Sequence, residues 1–341
     1  MKKKKYTYKK IIQTGLLMVL GGFLVGCTND PTEEQASGSA LNMVSFTRSA
    51  TPFTVTDDYS PIGVFLVGNG TNGLETQSGR FIYRSGENIW KSSIEVTPNR
   101  NYAIFGYAPA DAVSATLSNE SLSGATLTFS NLPAVSSQDI CFVVGVQQLD
   151  NKTVAKNIPL GKFAFTGKSE DNYVNLLMDH VYAAICIQMT IDSDYALLRS
   201  IKIRKMELQT TTSTVTAAIV LASNTTGSSP VQSATYSNLT GTHSSATFFD
   251  STEGVALETT ALTEATCCFA PNLNNSLTLV TTYDVYDRNN NKISERTATN
   301  KLPSLSATRG QRVSLNLTIA PTYLYVLSDP DLDNPTITIG N

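Results

Sequence analysis

The chain has 341 residues, a formal net charge of −3 and charged side chains at 16 % of its positions. A chain of this length is longer than one hydrophobic core usually serves, so two domains are expected. The modest number of basic residues excludes a general nucleic-acid binder, because contacts to phosphate need clustered Lys and Arg.

The N-terminal residues have the composition of an export signal. Six lysines precede an apolar stretch, Gly15–Val25, and Cys27 follows closely. A basic head, a short apolar middle and small residues at the cut are typical of a secretory signal. The apolar stretch is about 11 residues long, short of the ~20 that a helix needs to span a bilayer.

Residues Leu24–Cys27 resemble the lipobox of bacterial lipoproteins. The resemblance implies that residues 1–26 are a signal peptide, that cleavage precedes Cys27, and that fatty acids such as palmitate acylate its thiol. A plain secretory signal ending in Cys and an uncleaved anchor stay open as alternatives. Without the six leader lysines, 19 basic and 28 acidic side chains give a net charge of −9. Lipid on Cys27, and not surface charge, would then hold the protein at a membrane.

Residues 27–43 are polar, acidic and rich in small side chains, which predicts a flexible tether. The next segment, Val44–Val55, is the first with strand character, and Arg48 lies within it. An arginine in an exposed segment before a compact domain is a target for a trypsin-like protease. The alternative is a solvated arginine without such a role.

Short runs of Val, Ile, Leu and aromatic residues recur from Pro61 onward, and no helical period lasts over three turns. This spacing predicts an all-β chain built as a β-sandwich. The clearest strand is Val181–Ile191, and turn residues follow from Asp192. We therefore place a domain boundary there, between an N-terminal domain at 44–192 and a C-terminal domain at 193–320. Ala222–Gly241 is predicted to be a loop rich in Ser, Thr and Gly.

Residues 321–341 form a tail with two β-prone pieces, Thr322–Leu327 and Thr336–Ile339. An acidic, proline-bracketed linker joins them. Such a tail can fold back on its own domain or reach a neighbouring chain.

No motif for catalysis, metal binding or a cofactor is present, so we expect no enzyme, no metal and no cofactor. Of the two histidines, His180 is expected to be a hydrogen-bonded structural residue, and His243 falls in a loop. The only tryptophan, Trp90, is expected to be a core residue and not a platform for stacking sugars.

Four cysteines follow Cys27 in the sequence: Cys141, Cys186, Cys267 and Cys268. Cys141 and Cys186 lie in apolar, strand-like runs. We expect the four residues to be buried free thiols that act as small hydrophobic side chains. A single Cys141–Cys186 disulfide is the alternative.

Three segments resemble the fimbrillin family, the lipoprotein pilins of Bacteroidales-type (type V) fimbriae. Tyr102–Pro109 is similar to an aromatic strand of that family that ends in Pro, and Val135–Val144 is similar to its segment leading from Ser-Asp into a strand. Met178–Ile191 is similar to its strand with a His and alternating apolar residues, although Met178 replaces the usual aromatic residue. The second half of the chain matches in character more than in residues.

The resemblance implies two tandem transthyretin-like β-sandwich domains after the signal peptide and tether. It also implies a structural subunit of surface fimbriae that supports adhesion and reaches the outer membrane as a lipoprotein. A protease would cut after Arg48 and open a groove, and a β segment of another subunit would fill it. The partners would be other fimbrial subunits, with a host protein or glycan as a further ligand. The donor residues would be Tyr323, Tyr325, Leu327, Ile337 and Ile339.

An alternative of the same fold is a tip or anchor adhesin, or a glycan-binding surface lipoprotein, that does not polymerise. The sequence does not distinguish a stalk subunit from an anchor or a tip.

Overall fold

The computed structural model describes residues 38–48, 59–153, 157–224, 226, 228–239, 241, 243–260, 263–323 and 330–340. In these ranges the chain is nearly all β, which confirms the predicted class. No helix in the described ranges has the length and apolar character needed to cross a membrane.

The elements before Asp192 are β1 (Ser39–Arg48), β2 (Ile62–Gly70), β3 (Gly73–Arg84), β4 (Ile89–Val96), β5 (Asn101–Ala108), β6 (Ala115–Ser121), β7 (Gly124–Pro133), β8 (Val135–Ser136), β9 (Cys141–Leu149), β10 (Ala164–Thr166), β11 (Asn172–His180) and β12 (Ala183–Ile191). Those after it are α1 (Ser193–Ala196), β13 (Ser200–Thr210), β14 (Thr214–Ala222), β15 (Val231–Leu239), β16 (Ser244–Ala256), β17 (Thr263–Phe269), a 3-10 helix (Pro271–Leu273), β18 (Leu277–Tyr286), β19 (Lys292–Lys301), β20 (Arg312–Tyr323) and β21 (Pro330–Gly340).

The largest sheet has eight strands in the order β10-β5-β2-β3-β4-β1-β11-β9. It closes on itself, because β9 also pairs with β5: Tyr107 lies opposite Phe142, and Ala108 lies opposite Cys141. One apolar cluster, which we call the large-sheet core, draws all its members from these strands, including Leu41, Met43 and Trp90. The first strand in the described ranges, β1, is therefore an internal strand of a closed sheet.

Three smaller sheets complete the fold: β21-β20-β12-β17-β8, β16-β13-β18-β19 and β15-β14-β7-β6. Strands β6, β7 and β8 precede Asp192, yet β7 pairs with β14 and β8 pairs with β17. One large apolar cluster joins residues from both sides of Asp192. The division into domains at Asp192 stays a prediction, and the sheet pairing crosses that position.

The structure corrects two boundaries of the sequence analysis. The predicted tether extended to residue 43, but Ser39–Met43 belong to β1, with Leu41 and Met43 fully buried. The predicted loop Ala222–Gly241 contains β15, which pairs along β14 from Thr214–Leu239 to Leu221–Val231. Small polar residues in both segments leave no continuous apolar run, so the residue pattern alone does not show these strands.

The strand predicted at Val181–Ile191 is present as β12, with Ala183, Ile185, Ile187 and Met189 buried. It ends at Ile191 because Asp192 caps the following turn of helix. The Asp192 carboxylate accepts hydrogen bonds from the backbone N–H groups of Asp194 and Tyr195, both at 3.0 Å.

We expect Leu41→Ala to lower the free energy of unfolding by about 2–5 kcal/mol, because it leaves a cavity in the large-sheet core. Thr47→Val, at an exposed position of the same strand, should change it by less than about 0.5 kcal/mol. Urea unfolding followed by circular dichroism measures both values. Equal effects of the two substitutions would show that β1 is not packed as described.

Candidate functional site

The candidate site is the channel that β1 occupies between β4 and β11, which we call the β1 slot. The strand runs parallel to β11, from the pair Leu41 and Asn172 to the pair Arg48 and Met178. It runs antiparallel to β4, from the pair Ser39 and Val96 to the pair Met43 and Trp90. Both backbone edges of β1 are therefore paired. Loss of β1 would leave one edge of β4 and one edge of β11 without hydrogen-bond partners at the same time.

Apolar side chains fix the depth of β1 in the slot. Leu41 and Met43 point into the large-sheet core and are 0 % exposed. The register against β11 shifts between Met43 and Ser45, so Val44 forms a bulge. The bulge brings Phe46 to the same face as Met43, where its ring meets Trp90 edge-on with centroids 5.7 Å apart.

Hydroxyl groups of β1 satisfy two buried asparagines of β11. Asn172 and Asn175 are each 0 % exposed. Asn172 Nδ2 donates to Ser39 Oγ at 2.7 Å, and Ser45 Oγ donates to Asn175 Oδ1 at 2.8 Å. Asn172 Nδ2 also donates to the backbone carbonyls of Lys168 and Glu170, so this amide keeps partners without β1. A buried amide without a partner costs about 1–3 kcal/mol, so a strand in the slot has to supply a polar group chiefly at the Ser45 position, opposite Asn175.

Aromatic side chains on both sides of residues 49–58 pack into one cluster with Tyr83 and Trp90. Phe46 lies two residues before Arg48, and Tyr59 follows residues 49–58, which lie outside the described ranges. Tyr59 packs on Tyr83 with ring centroids 4.2 Å apart, and Tyr83 packs on Trp90 at 4.7 Å. Trp90 is 7 % exposed, in accord with its predicted place in the core.

The structure places Arg48 at the last position of β1, where its backbone pairs with Met178. The Arg48 position is therefore the junction between the buried strand and the segment that follows it. Cys27 lies outside the described residues. Cleavage after Arg48 and lipidation of Cys27 both stay predictions.

The tail folds back on its own chain as β21, an edge strand paired antiparallel with β20. Ile337 is 5 % exposed and belongs to the large apolar cluster that joins residues from both sides of Asp192. Ile339 is half-buried against that cluster. Arg199 holds the strand through Asp333, with Nη2 3.0 Å from Oδ1. Of the other predicted donor residues, Tyr323 ends β20, and Tyr325 and Leu327 lie outside the described ranges.

The four cysteines that follow Cys27 are buried free thiols. Burial raises the pKa of the Cys267 thiol, so this group stays protonated and unreactive at neutral pH. His180 is hydrogen-bonded, as predicted: its Nδ1 lies 2.8 Å from Asp139 Oδ2, and the residue is buried. His243 is exposed in a loop.

Sequence reasoning missed Asn172 and Asn175. They precede and interrupt an apolar run, and their hydroxyl partners lie 133 and 130 residues away in the sequence. The alternation of Leu41 and Met43 with polar residues was the one available signal for the buried part of β1.

No protein-family model and no curated protein matches this chain. Solved structures match over most of its length. A proposed cell adhesion protein from Bacteroides uniformis matches at 14 % identity and a TM-score of 0.38, over 90 % of this chain and 99 % of that one. A fimbrial protein from Bacteroides vulgatus matches at 15 % identity and a TM-score of 0.39, over 88 % and 98 %. Values this low describe a distant likeness only, so function is inferred below from this chain's own residues.

We expect Phe46→Ala to shift the fluorescence emission of Trp90 to longer wavelength, because the ring that covers the indole is removed. Trp90 is the only tryptophan, so the signal is unambiguous. The control Phe248→Ala removes a partly buried ring of β16 that packs on the other cluster. An unchanged emission maximum for Phe46→Ala, or an equal shift in the control, would contradict the described packing of β1.

Proposed function

We propose that this chain is a structural subunit of cell-surface fimbriae, exported as a lipoprotein and polymerised by donor-strand exchange after proteolysis at Arg48. The observation that carries the proposal is the place of β1. The strand that precedes residues 49–58 is paired on both edges over Ser39–Met43 and buries Leu41 and Met43, and an arginine stands at its last position.

Cleavage after Arg48 would leave β1 held only by non-covalent contacts. The freed piece runs from Cys27 to Arg48, so it would carry the lipid and the slot-filling strand together. Its departure would open a slot with two unpaired backbone edges and two amides that were buried. The slot would also have an apolar floor, which is the surface of the large-sheet core on which Leu41 and Met43 had packed. A β segment of another subunit would satisfy all three by strand addition.

The tail contains a segment that matches β1 in residue types. Ser39–Ser45 reads hydroxyl, apolar, apolar, hydroxyl at alternate positions, and Thr322–Ser328 reads the same. The four matched pairs are Thr322 with Ser39, Leu324 with Leu41, Val326 with Met43, and Ser328 with Ser45. This register puts Leu324 and Val326 over the apolar floor and turns Tyr323 and Tyr325 to the opposite face. It revises which residues of the predicted donor tail enter the slot.

The position of the matching segment suits transfer between subunits. Thr322 and Tyr323 end β20, so the segment continues directly from a strand that is fixed in its own sheet. The second part of the tail, β21, occupies a sheet edge, which is the position from which a strand detaches with the fewest broken contacts. The subunit would thus accept a strand at the β1 slot and offer one from its tail.

A subunit that does not polymerise is the second candidate: a tip or anchor adhesin, or a glycan-binding surface lipoprotein. Such a subunit would keep β1 in its own slot and β21 paired with β20, the arrangement that both strands have in the uncut chain.

We expect brief digestion of the chain with a trypsin-like protease to release the N-terminal piece and to produce ladders that resist SDS. Arg48→Ala should stay monomeric under the same conditions, because β1 remains covalently attached. Gel electrophoresis and N-terminal sequencing of the products check both. Ladders in Arg48→Ala would remove the cleavage step, and a wild-type chain cut after Arg48 that stays monomeric would favour the second candidate.

The register of the donor segment gives a sharper test. In the cut protein, the double change Leu324→Asp and Val326→Asp should abolish ladders, because it would bring two charges into an apolar slot. The matched double change Tyr323→Asp and Tyr325→Asp should retain them. The reverse result would mean that the opposite face of the segment enters the slot.

A further inference from the structure

A cluster of three chemically reactive side chains lies outside the β1 slot. Cys141 opens β9 and pairs directly with His180, the last residue of β11. Asp139 stands two residues before Cys141, so in extended backbone both side chains point to the same face. All three residues are essentially fully buried, at 0 % exposure for Asp139 and His180 and 1 % for Cys141.

The three ligand-type atoms form a compact triangle. His180 Nδ1 lies 2.8 Å from Asp139 Oδ2 and 3.7 Å from Cys141 Sγ, and Sγ lies 3.4 Å from Oδ2. One point above this triangle satisfies the usual zinc distances of about 2.0 Å to nitrogen and oxygen and about 2.3 Å to sulfur. The angles at that point would be about 90–120°, which leaves one open coordination position.

Charge and ligand type fit the same ion. A thiolate, a carboxylate and a neutral imidazole balance a doubly positive ion, so the occupied site would carry no net charge in the apolar interior. A mixed sulfur, nitrogen and oxygen set favours zinc over the hard cations calcium and magnesium, which prefer oxygen alone.

We propose that Asp139, Cys141 and His180 form a three-ligand binding site for Zn²⁺ that joins the start of β9 to the end of β11. The ion would replace the proton shared between Asp139 and His180 and the proton of the Cys141 thiol. Since β11 is one wall of the β1 slot, the ion would fasten the end of that wall. The site does not depend on the proposed function and can be tested on the uncut chain.

Sequence motifs do not reveal this site. The ligands are an Asp-x-Cys pair and a histidine 39 residues after the cysteine, with none of the paired Cys or His spacings of zinc fingers. Only the antiparallel register of β9 and β11 brings His180 opposite Cys141.

The test uses the full chain refolded with Zn²⁺ or with Co²⁺ as a spectroscopic probe, because a buried site is most readily filled during folding. After dialysis we expect one zinc ion per chain by elemental analysis and a higher melting temperature than that of the chain refolded with a chelator. The Co²⁺ form should show the near-ultraviolet charge-transfer band of a cobalt–thiolate bond.

Cys141→Ser should lose the charge-transfer band, and His180→Gln should lose stoichiometric zinc. The matched controls are Cys186→Ser, at a buried thiol outside the cluster, and His243→Gln, at an exposed histidine. Both controls should keep the metal and the band. If the Cys141 variant does not fold, the band in the wild type and in the Cys186 control still reports the thiolate ligand.

A wild-type chain that holds no stoichiometric metal after refolding with excess Zn²⁺ or Co²⁺ would overturn the proposal. Metal that remains bound to both the Cys141 and the His180 variants would overturn it as well.

Discussion

The double pairing of β1 is the constraint on which the rest of the structure depends. The large sheet closes only because this strand joins β4 to β11. The same strand contributes the buried side chains of Leu41 and Met43 to the large-sheet core. An internal strand is ordinarily fixed by chain on both sides. Here one side leads to Cys27 and the other to Arg48, so a single cut would turn a covalent part of the core into a bound peptide.

Two segments of the chain have the composition to occupy this position. In the uncut chain β1 has the advantage of attachment, because a tethered segment competes at an effective concentration that reaches the millimolar range for short linkers. Cleavage would remove that advantage, and the tail of a neighbouring subunit, itself carried on β20, would then compete on equal terms. With a bulge at Leu327 like the one at Val44, the order of hydroxyl and apolar residues in Thr322–Ser328 would let Ser328 bond to Asn175 while Leu324 and Val326 fill the apolar floor.

The sequence was sufficient for the all-β class, for β12 with its stop at Asp192, for the hydrogen-bonded state of His180, and for the burial of Trp90 and of the four cysteines that follow Cys27. It was insufficient where pairing decides burial. Ser39–Met43 and Val231–Leu239 look like linker because small polar residues interrupt their apolar residues, and only the pairing with β11 and β14 shows that they are strands. The pairing of β7 with β14 could not be predicted either, because nothing local records a partner nearly 90 residues away. The asparagines of β11 and the Asp139–Cys141–His180 cluster escape for the same reason.

The most direct measurement of the central idea is amide hydrogen exchange, followed by mass spectrometry, on the uncut chain and on the product cut after Arg48. The account predicts that peptides of β4 and β11 stay protected in the cut, assembled product, that the peptide covering Thr322–Ser328 gains protection, and that the piece ending at Arg48 is absent. A cut product in which that piece remains bound, with unchanged exchange at Thr322–Ser328, would contradict it.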